Sequence, residues 1–295
     1  MIAAIMPAAV DSEQTAASDF RADSAVEAAG DGAYRATVMD AWSGPPGPNG
    51  GYIAALILRA IRAEVNDVPR RPRSLTIHYL RPAQMGAISI EVTVERAGRS
   101  VTTCTARLDQ GHKTMCIAIC VLSERWESLA EWQDPAPEVP RAERIEPLPQ
   151  RRMAASIWNQ HEFRMAFGAP PFSASEDSVV GGWIRTREPT PLEPELLAMY
   201  SDVWWPAPFP RLEGTPVAPT LDLTIHFGAE PPGGDREQIL GRFRSVASAD
   251  GFFGEDGELW DAQGRLLLQS RQLAILRPLP EGFAPYEMPT KGVGA

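Results

Sequence analysis

TPLEPELLAMYSDVWWPAPFPRLEGTPVAPTLDLTIHF, residues 190–227, reads as a short helix, a proline-rich excursion and a strand. Thr190 offers an N-cap hydroxyl, Pro191 a first helical position and Glu193 a capping-box partner. Together they predict a helix over Pro191–Asp202. Leu192, Leu196, Leu197, Met199 and Tyr200 make it mostly apolar. It ends by Trp204-Trp205-Pro206, because proline disfavours the α region for the residue before it. Asp202 stands out as an acid in the last turn, where the helix dipole already concentrates negative charge. A solvated side chain is the plain reading of such a residue.

Part of this stretch occurs twice. Leu223-Thr224-Ile225-His226-Phe227 repeats Leu75-Thr76-Ile77-His78-Tyr79, 148 positions earlier. A candidate helix comes first in each half, Gly51–Val65 and then Pro191–Asp202. A turn followed by an apolar strand comes later in each, LDQGHKTMCIAICVL and WDAQGRLLLQSRQLAIL, with turn glycines Gly111 and Gly264. Three matches in one order at nearly one offset predict two copies of a single α+β unit.

A chain of 295 residues suits two such units, each able to bury a core. A net charge of -10 and a pI near 5.0 argue against nucleic acid or an anionic membrane surface as the main partner. Cys104, Cys116 and Cys120 are odd in number, lack CxxC spacing and lie in apolar runs. They read as buried reduced thiols, which suggests a cytoplasmic protein. The opening MIAAIMPAAVDSEQ has no basic n-region and turns acidic at once, so it does not read as a signal peptide. No apolar run approaches the length of a membrane span.

Along the chain, residues 1–30 read as a loosely ordered N-terminal segment and 31–133 as the first unit. Residues 134–150 form a proline-rich linker, 151–280 the second unit and 281–295 a tail. Trp42–Gly51 is a Gly/Pro loop without the Lys-Ser/Thr ending of a phosphate-binding loop. Asn49 or Gly50 then caps YIAALILRAIRAEV, whose first turns are apolar on every face, the mark of a buried helix. In Ala87–Glu95, Ile88, Ile90, Val92 and Val94 alternate with polar residues, as in an antiparallel strand with one buried face. Ser100–Gln110 and Thr114–Ser123 complete a meander. In the second unit strands are expected near 158–166 and 181–187, then at Thr220–Phe227, Gln238–Ala247, Phe252–Trp260 and Arg265–Leu276.

The sequence holds no GxSxG, HExxH, paired HxxxH or CxxC, so nothing predicts a metal site. Four single histidines, His78, His112, His161 and His226, read as structural. The halves differ in polarity, however. Gln272 shares a strand face with Ser270 and the apolar Leu266, Leu268, Ala274 and Leu276, where an unpartnered amide costs about 1–3 kcal/mol. The turn-glycine offset sets it against Ile119, the LTIH offset sets Thr220 against Pro72, and Asp202 falls near Ala54. Three polar groups of one copy thus meet three apolar residues of the other.

A buried helix wrapped by an antiparallel meander, twice in one chain, resembles the α+β double-hotdog architecture. Tyr200-Ser201-Asp202, Thr220-Leu221-Asp222 and Gln272 before Leu276-Arg277 resemble the acyl-CoA thioesterase II family. NGGYIAALILRA, SLTIHYLRP and AGRSVTT are similar to its first hotdog. The resemblance spans residues 30–278. It implies an enzyme of lipid metabolism in which an aspartate, a threonine and a glutamine hold the hydrolytic water, here Asp202, Thr220 and Gln272. It implies no cofactor beyond the coenzyme A of the acyl-CoA substrate, and leaves room for a homo-oligomer. The departure is Leu223-Thr224-Ile225, where the family usually has a histidine after the second aspartate.

Hydrolysis of a thioester needs an oriented water, a base and oxyanion donors. Asp202 can take the proton while Thr220 and Gln272 fix the water. Gly50, Gly51 and Tyr52 at a helix N-terminus are candidates for the oxyanion. Arg70, Arg71 and Arg73 are candidates for the coenzyme A phosphates. Two rival readings remain, a hotdog hydratase or dehydratase and a non-catalytic acyl-ligand binding protein. On strand alternation Thr220 shares a face with Asp222 rather than with the apolar side, unless the pleat fails at the strand entrance.

Overall fold

The computed structural model describes residues 17–44, 47–149, 156–214 and 216–278. A short helix α1 (Phe20–Asp23) precedes strands β1 (Glu27–Gly30) and β2 (Ala33–Val38), then helix α2 (Gly50–Val65). Strands β3 (Arg71–Tyr79), β4 (Gly86–Ala97), β5 (Val101–Gln110) and β6 (Lys113–Ser123) follow. The same series then recurs: α3 (Ser156–Asn159), β7 (His161–Gly168), β8 (Val179–Thr186) and α4 (Pro194–Tyr200). It continues through β9 (Thr220–Phe227), β10 (Ile239–Arg244), β11 (Phe252–Trp260) and β12 (Leu266–Ile275).

All these strands join one antiparallel sheet in the order β1-β2-β4-β5-β6-β3-β9-β12-β11-β10-β8-β7, with the short strand Ser248–Ala249 added beside β11. Read outward from the β3–β9 seam, the two sides have the same connectivity. At the seam Thr76 faces Thr224, Leu75 faces Ile225 and Ile77 faces Leu223. The two LTIH copies therefore pair with each other about a local twofold axis, and the two threonine hydroxyls lie 3.1 Å apart on it. Leu75, Ile77, Leu223 and Ile225 are fully buried, while His78 and His226 are exposed on the other face.

Helix α2 is buried along Gly51–Leu58 and at Ala60 and Ile61, as its all-round apolar sequence requires. Of the two expected caps, Asn49 is the one used, its side chain accepting from the Tyr52 N–H at 3.0 Å. Helix α4 packs against it so closely that a Cβ on Gly51 would lie 2.6 Å from the Met199 carbonyl. Arg62 on α2 grips both oxygens of Glu195 on α4, at 2.7 and 2.8 Å, and Glu195 is almost fully buried.

Three expectations need correction. The α4 cap lies three residues further on: Glu193 is the N-cap residue, Pro194 opens the helix and the Thr190 hydroxyl donates to the Glu188 carbonyl. Proline at the first position omits one donor the helix cannot use, and the Leu196 and Leu197 N–H groups both bond the Glu193 carbonyl, at 3.0 and 3.1 Å. Residues 17–30 are not loose, since Phe20 is buried against Trp42 and β1 pairs with β2. The proline-rich segment is more than a spacer. The Pro140 carbonyl accepts from the Trp183 indole, and Ala142 packs with Trp183, Leu240 and Trp260 on the outer face of the second half. Residues 1–16, which include the N-terminal stretch judged not to be a signal peptide, and the tail 281–295 fall outside the described residues.

Removing Arg62 would strand the buried Glu195 carboxylate. Arg62→Met should lower unfolding free energy by about 3 kcal/mol, and adding Glu195→Leu should restore most of the loss. Urea midpoints of the single and double variants measure both.

Candidate active site

Helix α2 ends N-terminally against the turn that follows α4, and Asp202 lies in that turn. Its Oδ2 accepts the Gly51 N–H at 3.0 Å and the Asn49 Nδ2 at 3.2 Å, while its backbone carbonyl accepts from Asn49 at 2.7 Å. The carboxylate that ill suits the end of its own helix thus receives the unsatisfied donors at the start of another. Burial pushes it up to about 6, opposed by hydrogen bonds from Gly51, Gln272, Gly50 and Asn49.

Thr220 enters the same site through a backbone irregularity. It pairs with Ala274, but Asp222 pairs with Leu273, so the strand bulges at Leu221. The bulge turns Thr220 onto the inner face despite its even spacing from Asp222. Its hydroxyl donates to Gln272 Oε1 at 2.6 Å. Gln272 is buried in β12 and donates from Nε2 to Glu255 Oε1 at 2.7 Å. Glu255 on β11 also accepts the Ala207 N–H at 2.6 Å, and burial pushes its carboxyl up to about 7. Sequence reading passed over Glu255; its signal was an acid at an inward-facing position of FFGEDGELW, opposite Gln272 in register.

These groups line a cavity of about 570 Å³. Ile53, Trp158, Val203, Trp204, Phe253 and Ala274 supply much of its apolar wall, with Gly50, Tyr79 and Cys116 also on it. It lies between the halves, Asn49 and Gly50 coming from one and Asp202, Thr220, Glu255 and Gln272 from the other. Burial pushes the Cys116 thiol up to about 12 and holds the Tyr79 phenol neutral, its hydroxyl donating to the Gly50 carbonyl at 2.7 Å.

The remaining candidates lie elsewhere. Of the three proposed oxyanion residues, Gly50 alone lines the cavity. The Gly51 N–H is taken by Asp202, the Tyr52 N–H by Asn49, and the Tyr52 hydroxyl donates to the Asp23 carbonyl deep in the core. Arg70 is bound to Asp67, Thr102 and the Gly98 and Arg99 carbonyls. Arg71 pairs with Glu230, and Arg73 bonds Ser123 and the Glu124 carbonyl. They sit at or just before the start of β3, whereas the cavity is at its Tyr79 end, roughly 20–30 Å along an extended strand. The one arginine among the described lining residues is Arg81, just past that end. None of the four histidines lines the cavity. His161 is buried among Trp42, Phe163 and Tyr200, and burial pushes its imidazole down to about 4. No cluster with metal-binding composition occurs among the described residues, and no helix among them is long and apolar enough to cross a membrane.

Pairing register also corrects one counterpart. Gln272 faces Leu223, whose equivalent Leu75 faces Cys120, so Gln272 corresponds to Cys120 rather than Ile119. The offset between turn glycines was one residue too long. Thr220 does correspond to Pro72, each preceding a bulge, and Glu255, opposite Gln272, corresponds to Cys104, opposite Cys120. The polar trio of the second half is Pro72, Cys104 and Cys120 in the first.

Residues 38–123 match the acyl-CoA thioesterase N-terminal domain and residues 134–276 the acyl-CoA thioesterase C-terminal domain. The chain belongs to the acyl-CoA thioesterase family. An uncharacterized protein of Mycobacterium tuberculosis is 24% identical over 277 residues, covering 82% of this chain and 90% of that protein. A conserved hot dog protein of unknown function from Alicyclobacillus acidocaldarius superposes with a TM-score of 0.81 at 24% identity, over 88% of this chain and 98% of the other. An acyl-CoA thioesterase II, TesB2, from Mycobacterium marinum gives 0.73 at 20% identity, over 90% and 100%. These likenesses establish the hot dog fold.

The electrostatics of Asp202 carry a consequence for stability. Its folded value lies above the ordinary carboxylate value of 3.8, so the neutral form is the one the fold favours. That contribution is full below about pH 4 and is lost as pH rises through about 6. Asp202→Asn should therefore be more stable than the parent at pH 8, on the order of 1–3 kcal/mol, with the gap closing below pH 4. Chemical denaturation across this range measures it.

Proposed function

We propose that the chain is a double-hotdog thioesterase that hydrolyses acyl-CoA to the free acid and coenzyme A through an Asp202-activated water. The observation that carries this reading is the half-buried Asp202 carboxylate on the wall of an apolar cavity, with the hydrogen-bonded Thr220–Gln272 pair on the same wall. Asp202, raised to about 6, is ionised near neutrality yet basic enough to accept a proton. Water bound between Asp202 and Thr220 attacks the thioester carbonyl carbon as its proton passes to Asp202. The tetrahedral adduct then expels the thiolate, which recovers that proton, leaving a carboxylic acid and a thiol. The apolar wall receives the acyl chain. Arg81, exposed beside the cavity, donates from Nη1 to the Thr114 carbonyl at 2.8 Å and has further N–H groups for an anionic phosphate of the coenzyme.

A hydratase or dehydratase built on a histidine–acid pair is less well supported, because none of the four histidines lines the cavity. An acyl-ligand binding protein would fill the cavity without turnover. Thiol release from a panel of acyl-CoA thioesters separates these readings: enoyl-CoA hydration without thiol release, or binding with neither reaction, would overturn the hydrolytic one.

Two kinetic outcomes are expected. Asp202→Asn should lose on the order of 10²–10⁴-fold in kcat while staying folded. Asp222→Asn, on the outer side of the bulge, should stay within about threefold, because removing a group that touches neither water nor substrate leaves the transition state intact. An inactive Asp222→Asn beside an active Asp202→Asn would move the base to Asp222. Arg81→Ala should raise KM several-fold with kcat nearly unchanged, the signature of lost uniform binding; steady-state kinetics on full-length acyl-CoA and on a thioester truncated before the phosphates tests this.

A further inference from the structure

Glu255 is, among the described lining residues, the one buried acid of the cavity that the hydrolytic reading leaves without a role. It sits in the middle of β11 at 5% exposure, directly opposite Gln272 in register. Both its oxygens act as acceptors, Oε2 from the Ala207 N–H and Oε1 from Gln272 Nε2. Burying a carboxylate costs several kcal/mol unless it is well partnered, and the equivalent position in the first half is the apolar Cys104. The second half keeps a costly group beside the amide that the site uses.

A glutamine amide has two faces, an oxygen that accepts and a nitrogen that donates, and it turns over with little loss when its partners are ambivalent. Thr220 is such a partner, since its hydroxyl donates or accepts. Glu255 is not. Flipped, Gln272 would set Oε1 against Glu255 Oε1 at about the observed 2.7 Å, two acceptors in contact. The ionised Glu255 therefore fixes Nε2 toward the carboxylates and Oε1 toward Thr220. Thr220 must then donate to Gln272, and its oxygen is left to accept from the water. A water donating one hydrogen to Asp202 and the other to Thr220 has a lone pair free for the carbonyl carbon. With the amide flipped, the threonine hydroxyl would instead donate into that lone pair.

Resting on the hydrolytic reading, we propose that Glu255 is a positioning residue that holds Gln272 in the hydrolytic orientation, so that turnover requires two ionised carboxylates. The charged or titratable groups around it are Asp202 from the turn after α4 and Asp256 from its own strand, the latter paired with Arg271 of β12 at 3.1 Å. Tyr79 and Cys116 share the cavity and are held neutral by burial. Gln272 and the Ala207 N–H contribute uncharged donors. With Asp202 raised to about 6 and Glu255 to about 7, the two protonate over overlapping ranges.

The experiment is the pH dependence of thiol release from a short-chain acyl-CoA by the wild type, Glu255→Gln, Gln272→Ala and the double variant. For the wild type, log kcat/KM should fall on the acid side with a slope approaching two. Glu255→Gln should lose at least tenfold in kcat with KM within about threefold, and its acid limb should flatten to a slope of one. The double variant should be no slower than Gln272→Ala alone, because Glu255 acts through that amide. An active wild type with a slope of one, or a double variant slower by the product of the two single losses, overturns the positioning role and leaves the hydrolytic reading intact. A wild type that releases no thiol from any acyl-CoA overturns both. The wild-type limb needs no substitution, so it decides the matter even if Glu255→Gln does not fold.

Discussion

A carboxylate at the C-terminal end of a helix meets the negative end of its dipole. Asp202 escapes that penalty because the end of α4 abuts the start of α2, whose first turn has N–H groups without internal partners. The Gly51 N–H and the Asn49 side chain take up the charge. For this to happen the two helices must approach to the limit that Gly51 permits, where the Met199 carbonyl leaves no room for a side chain. They must also come from two copies of the unit facing each other. The site therefore depends on the pairing of β3 with β9 about Thr76 and Thr224, which sets the opposed helices in place.

The twofold relation would make two sites if the sequences were equal. At the reciprocal helix junction Arg62 and Arg59 of α2 meet Glu195 and Glu193 of α4, and the sheet positions hold Pro72, Cys104 and Cys120 instead of Thr220, Glu255 and Gln272. One junction holds two structural ion pairs and the other a cavity with an acid. The buried Glu255 and the half-buried Asp202 are a cost to stability borne by one side of the molecule, and the ion pairs and aromatic core lie on elements common to both.

The outer face is managed unequally as well. In the second half, residues 136–145 run across the sheet and cover Trp183, Leu240 and Trp260. In the first half, Ile117 and Ile119 remain exposed beside Thr76 and His78. The linker lies on the half whose inner wall carries the cavity, so β8, β10 and β11 are packed from both sides while β12 holds Gln272 between them and β9.

Much of this was legible in the amino-acid sequence. The repeated LTIH, the all-round apolar α2 and the alternation of β4 follow from side-chain period and propensity, which are local. So does the oddity of Asp202 and Gln272, since a polar group in an apolar stripe requires a partner. Whom each partners with was decided only by the tertiary structure. The bulge at Leu221 that turns Thr220 inward follows from pairing, not from alternation. The counterpart of Gln272 is Cys120 because register, not turn position, aligns strands. Glu255 looked like one more acid in a strand until pairing placed it against Gln272. The arginines at the start of β3 carried the right chemistry, but an extended strand of nine residues holds them far from the cavity at its other end. Periodicity says which face a residue takes, and only folding says what stands across from it.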